Sequence, residues 1–168
     1  MAVFIVLLLV PILIQHIVIR RHSVNLEKKN NMALAFFFIM LTVLVMLRHE
    51  SVGNDTNNYI HYFDKFSKIS WINVGKESIE VGFSFFNKIV SLFTNTSRIY
   101  LSIMAILTSV MIYPTYKRLC VDSSLTIVLF VTMSTFVMMF SGIRQMFAVA
   151  IGFVAYEFTR KKRLIPFL

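Results

Sequence analysis

Arg48, Asp55, Glu80, Arg144 and Gln145 are the side chains of this sequence whose type and setting could do chemistry. Arg144 and Gln145 fall between two apolar stretches. A cation is costly there unless it turns toward a bundle interior or a cavity, and such a residue often marks a substrate path. Snorkelling to headgroups is the alternative use of an arginine in that position. Arg48 closes another apolar stretch and has the same two readings. Asp55 follows Gly53 and Asn54 in a turn. It can cap the helix that begins there, whose apolar face is Tyr59, Tyr62, Phe63 and Phe66, or it can act as a base or orient a sugar hydroxyl if that helix packs over a cavity. Glu80 opens an amphipathic stretch and competes with Asp55 for that role, a solvated helix face being the plainer explanation. His49 and His61 lack partner ligands at metal spacing, so no metal site is expected. Trp71, with Tyr59 and Tyr62, suits an interfacial belt.

The elements that must position these residues are apolar to an unusual degree. Of 168 residues 57% are hydrophobic and the mean hydropathy is +0.73, against roughly 45–50% apolar residues in an ordinary soluble domain. Seventeen Phe and ten Met beside only five Gly and three Pro exclude disordered and collagenous classes, so the surplus must lie in continuous apolar segments of a membrane protein. The net charge of +9 would suggest nucleic acid in a soluble chain. Here the charges cluster between apolar runs, which points to topology and to no nucleic-acid partner. The single cysteine, Cys120, allows no internal disulfide, and redox and metal classes are disfavoured.

A spanning helix needs about 20 mainly apolar residues. Spans are expected near residues 3–19, 32–47, 99–113, 124–140 and 145–158, with an outer segment over 48–98. The loop holding Arg20, Arg21, Lys28 and Lys29 is cytoplasmic by the positive-inside rule, which puts the N-terminus outside. Within 79–94, Glu80, Ser84, Asn87 and Ser91 recur at helical spacing, with Ile79, Phe83, Phe86, Val90 and Phe93 on another face. If that helix spanned, Lys117-Arg118 and the cluster from Arg160 to Arg163 would both fall outside. Lying flat in the outer interface, it returns both to the cytoplasm, and ten of the seventeen Lys and Arg residues are then cytoplasmic. A single helix over 124–158 would be about 52 Å long at ~1.5 Å per residue, so a break is required, and Ser141-Gly142 is the natural place. The expected fold is all-α: a polytopic membrane helix bundle of about five transmembrane helices plus an outer-face amphipathic helix. Residues 1–168 form one transmembrane domain, expected to be the N-terminal part of a longer protein because apolar residues resume after the last basic cluster.

Three motifs occur in order: Arg48-x4-Gly53-Asn-Asp55-Thr-x2-Tyr59-x3-Phe63, then Glu80-Val-Gly-Phe-x-Phe-Phe-Asn87, then Gly142-Ile-Arg144-Gln145-x2-Ala148. In these the chain resembles the EpsG family, which is similar to the Wzy-type polymerases of bacterial exopolysaccharide, capsule and O-antigen. The resemblance implies a multi-pass protein of the bacterial cytoplasmic membrane. Its activity would be glycosyl transfer on the outer face, moving a growing glycan from undecaprenyl diphosphate onto the next lipid-linked repeat unit, with no nucleotide sugar and no cofactor. It implies that Arg48 and Arg144, with Gln145, bind the donor diphosphate through guanidinium forks suited to phosphate oxygens. Asp55 or Glu80 would handle the acceptor hydroxyl. The implied partners are the lipid-linked oligosaccharide, membrane lipid, a flippase and a chain-length regulator. A lipid-linked glycan ligase, or a flippase or transporter of the same pathway, are the rival readings.

Overall fold

A computed structural model describes residues 5–6, 9–13, 26–49, 52–76, 79–133 and 135–160. Every regular element among them is helical. In chain order these are α1 (Leu26–Leu47), α2 (Thr56–Lys68), a 3-10 helix (Trp71–Lys76), α3 (Val81–Val90), α4 (Ser97–Leu119), α5 (Ser123–Thr132), α6 (Thr135–Phe140) and α7 (Ile143–Arg160). Of the expected span over 3–19, residues 9–13 are helical and the remainder lies largely outside the described residues.

α1 and α4 are long and apolar enough to cross a membrane. Their 22 and 23 residues rise about 33 and 35 Å at ~1.5 Å each, against a hydrocarbon core of ~30 Å. In α1 the buried positions Asn30, Ala33, Leu34, Phe37, Phe38, Leu41 and Val45 follow the helical repeat. The opposite face, with Ile39, Val43 and Leu47, is exposed and equally apolar, as for a helix bathed in lipid rather than water. Both helices outrun the expected boundaries. α1 begins at Leu26 and draws Lys28 and Lys29 into its first turns, while α4 runs through Pro114 to Leu119.

The stretch 124–140 is not one helix. It divides at Met133 (φ −84°, ψ 27°) into α5 and α6. Thr126 and Thr132 donate their hydroxyls to the carbonyls of Asp122 and Val128 at 2.7 Å, side-chain bonds that compete with the backbone ladder and bend helices. The chain then reverses at Ser141-Gly142, as expected, although Gly53 is the only described glycine with positive φ. At Gly142 a Cβ would approach the Gln145 side-chain oxygen to 3.1 Å, a contact that side chain would have to yield by a few tenths of an ångström.

α4 packs along both α1 and α7, with α5 against α1 and α6 against α7. Phe37, Phe38 and Phe130 meet edge to face with centroids 5.4 to 5.6 Å apart, the geometry the ring quadrupoles prefer. At mid-bundle Thr42 Oγ1 donates to Ser109 Oγ at 2.7 Å. At the end distant from the outer segment, Asn30 Nδ2 donates to Val121 O at 3.0 Å, Ser123 Oγ donates to Asn30 Oδ1 at 3.1 Å, and Arg118 pairs with Glu157. A second apolar cluster, built from Tyr59, Phe63, Phe83, Tyr100, Met104 and Ile143, seats the outer segment on α4 and α7. In it the Phe63 and Tyr100 rings stack at 4.4 Å.

α3 packs inward with residues of both stripes, Phe83 and Val90 among them. Its ten residues rise about 15 Å, half the thickness of a hydrocarbon core. Ser84, Asn87 and Lys88, expected on a polar face, are buried, whereas Phe85, Ile89 and Phe93 are exposed. Inward polarity is met in part locally: Ser84 Oγ donates to Glu80 O at 3.2 Å and Asn87 Nδ2 to Phe83 O at 2.7 Å, while Asn87 Oδ1 is buried without a partner. Lys88 Nζ donates to Ser67 O at 3.0 Å and lies 5.9 Å from the centre of the Trp71 ring, tying α3 to the end of α2 and to the 3-10 helix.

The 48–98 segment is locked to the α6–α7 reversal through the last two carbonyls of α6. Arg48, only 8% exposed, donates from one guanidinium nitrogen to Phe140 O at 2.7 Å and to Met139 O at 3.2 Å, and its guanidinium lies 6.0 Å from the Phe140 ring centre. These carbonyls end α6 and have no intrahelical donor of their own. Thr56 Oγ1 donates to Val52 O at 2.7 Å and reaches Phe140 O at 3.4 Å. Gly53 passes over the same oxygen at φ +98°, where a Cβ would collide with it and come within 2.8 Å of Thr56 Oγ1. Burial pushes the Arg48 guanidinium down to about 10, so it remains charged at neutral pH.

Gly53→Ala, which needs a left-handed backbone and meets that carbonyl, is expected to destabilise the fold by about 2 kcal/mol or more. Arg48→Met, which leaves Met139 O unpaired and Phe140 O with only the distant Thr56 hydroxyl, should cost a similar ~2 kcal/mol. Gly152→Ala, with open space around it, should leave stability unchanged or raise it by roughly 0.5–1 kcal/mol. Denaturant midpoints of the three variants in detergent micelles check this order.

Candidate functional site

Arg144 stands in the first turn of α7, immediately after the clamped reversal, and its Nη1 donates to Glu80 Oε2 at 2.7 Å. Glu80 is the extended residue (φ −52°, ψ 126°) that precedes α3. Its main chain is fixed from within α3, since the Ser84 amide donates to its carbonyl at 3.0 Å. α3 is in turn held by rings on both sides: Phe83 lies edge-on to Tyr59 at 6.1 Å, and Phe86 lies 4.9 Å from Phe147 on α7. Two residues 64 positions apart in sequence thus meet because one aromatic layer docks α3 against α7.

Beneath this ion pair runs a groove of about 670 Å³. Glu80, Arg144 and Gln145 form its polar mouth, and Phe83, Phe86 and Phe147 its upper wall; the apolar lining continues to Met111 and Ile151. From Arg144 to Ile151 the lining descends about 10 Å along α7 at ~1.5 Å per residue. The shape is that of a cation over an apolar slot, which suits an anionic head on a long hydrocarbon tail. The pair itself is open to solvent, Arg144 being 37% and Glu80 64% exposed in their side chains. An ion pair so exposed is worth about 0–1 kcal/mol, so an incoming anion can exchange with it.

Tyr59 belongs to the site as well. Burial pushes its phenol above the ordinary range, so it stays protonated, and its ring meets Phe83 of α3 edge to face at 6.1 Å. Arg144 is held at its side chain by Glu80. Placed by sequence on the apolar face of α2 and in an aromatic belt, Tyr59 carried one further signal: it follows Asp55 by one helical turn within the first motif. The Tyr59 amide donates to Asp55 O at 3.1 Å.

Glu80, Arg144 and Gln145 are thus brought together. Arg48 is not with them: its guanidinium faces the Phe140 and Met139 carbonyls and lies outside the groove lining. Asp55 occupies the cap position of α2 (φ −104°, ψ 0°), yet its side chain makes no capping bond. The carboxylate is exposed, and its charge raises the Tyr59 phenol. It adjoins the site through Tyr59 and does not line the groove.

No curated protein and no solved structure matches the chain. The sequence model of the EpsG family matches residues 31–168, a stretch that takes in the Arg48 clamp, the α3 motif and the Arg144 turn, and the chain therefore belongs to the EpsG family.

Proposed function

We propose that the groove takes the diphosphate and the first part of the prenyl chain of an undecaprenyl-diphosphate-linked oligosaccharide. The chain would then act in polymerising such repeat units into bacterial surface polysaccharide. The observation that carries this reading is the exchangeable Arg144–Glu80 pair over an apolar slot. The Arg144 fork, with the Gln145 amide beside it, binds the diphosphate oxygens and neutralises charge as the diphosphate departs. In the transfer the acceptor hydroxyl oxygen attacks the anomeric carbon. The bond from that carbon to the diphosphate oxygen breaks with its electron pair going to the diphosphate, and the hydroxyl proton passes to a base. Glu80 is committed to Arg144 in the resting site. Asp55, exposed and free of a capping bond, is the carboxylate we assign to the acceptor. Arg48 serves the donor site indirectly, by holding the turn from which Arg144 projects.

In the membrane the chain crosses five times with its N-terminus and the 48–98 segment outside, in the cytoplasmic membrane of a bacterium. A flippase would supply the substrate and a chain-length regulator would limit the product. A transporter of the same lipid would carry its cation near the bilayer midplane, and Arg144 instead stands in the first turn of its helix. A ligase would share the donor site and differ in its acceptor.

In the whole protein, Arg144→Lys and Arg144→Ala are expected to abolish polymer while single repeat units accumulate on the lipid carrier. Gel analysis of surface polysaccharide and of extracted carrier lipid reads both, and normal polymer length from both variants would remove Arg144 from the donor site. With Cys120 replaced by serine, cysteines at Asn57 and Ser141 should react with a membrane-impermeant maleimide on intact cells. A cysteine at Val121, which is 90% exposed, should react only after permeabilisation. Reaction of the last on intact cells would invert the topology.

A further inference from the structure

The same carboxylate that closes the resting site suggests how the site is opened. Glu80 Oε2 occupies Nη1 of Arg144, the N–H group a phosphate oxygen would need. The two residues sit on different elements, both open to solvent, so the contact can part without unpacking either helix: α3 remains held through Phe83, Phe86 and Lys88. A diphosphate carries more charge than one carboxylate and can engage both edges of a guanidinium fork. It therefore wins the exchange, and its charge then repels the displaced carboxylate.

Resting on the donor-site reading above, we infer that Glu80 is an internal competitor of the substrate diphosphate. It neutralises Arg144 in the empty groove and is set free at the groove mouth only when a diphosphate takes its place. The Glu80 carboxylate is thus unpaired only in the loaded site, while Asp55 remains the carboxylate assigned to the acceptor.

The test uses the whole protein in detergent at low ionic strength, where exposed charges are least screened, with inorganic pyrophosphate as the calorimetric probe. Removing an internal competitor must tighten binding, so Glu80→Gln is expected to bind pyrophosphate roughly two- to fivefold more tightly than wild type. Arg144→Ala should lose the binding, and Glu80→Gln in the Arg144→Ala background should restore none of it, because the gain acts through Arg144. Unchanged elution volume and circular dichroism confirm that each variant is folded. If Glu80→Gln binds no more tightly than wild type while Arg144→Ala still loses binding, the competitor role is overturned and the donor site stands. If Arg144→Ala binds as wild type does, the donor site falls with it.

Discussion

The carbonyl oxygen of Phe140 is the point on which the arrangement depends. A short helix ends there inside the protein, and its last carbonyls would be left unpaired at a cost of about 1–3 kcal/mol each. The Arg48 guanidinium, Thr56 hydroxyl and Gly53 backbone converge on that oxygen. They come from the end of α1 and the start of α2, so the bond that satisfies α6 also fixes the outer segment relative to the reversal. Since the chain turns directly from Phe140 through Gly142 into Arg144, an error at the clamp is passed undiminished to the guanidinium at the groove mouth. The first and third sequence motifs are in this sense one device: the first holds the turn that presents the third.

The second motif completes the site from the opposite side. α3 buries Ser84, Asn87 and Lys88 along with Phe83 and Val90, and leaves Phe85 and Ile89 outward. Lys88 ties α3 to α2 and the 3-10 helix while Phe83 and Phe86 dock it against Tyr59 and Phe147. Glu80, at the leading edge, then falls on Arg144. The ion pair contributes little stability by itself. Its position is set by the aromatic layer, and its weakness suits a contact made to be exchanged.

Much of the architecture was legible in the residue pattern. The apolar stretches of α1 and α4, the outer helix from Thr56 with Tyr59, Phe63 and Phe66 inward, and the reversal at Ser141-Gly142 all follow from hydrophobic periodicity and turn chemistry. The division of 124–140 into α5 and α6 was not, because hydropathy does not register threonine hydroxyls that bond back to the helix carbonyls. Which residues of α3 pack inward was not legible either, for a related reason. A helical repeat separates a polar from an apolar stripe, but which stripe meets the protein depends on whether the other side meets water or another apolar phase.

Among the site residues, sequence spacing drew attention to Arg48, Asp55, Glu80, Arg144 and Gln145 without telling them apart. The sequence by itself determined the class of molecule, because the cost of placing a residue in an apolar phase is a nearly additive property of local composition and can be summed along the chain. It could not say that one arginine is a buried structural clamp and the other an exposed ligand group, nor that Glu80 rather than Asp55 reaches Arg144. Only the tertiary structure decided those matters, because a charge takes its role from the partners it meets. Here those partners lie 64 to 92 positions away, brought within hydrogen-bond reach by how the helices pack.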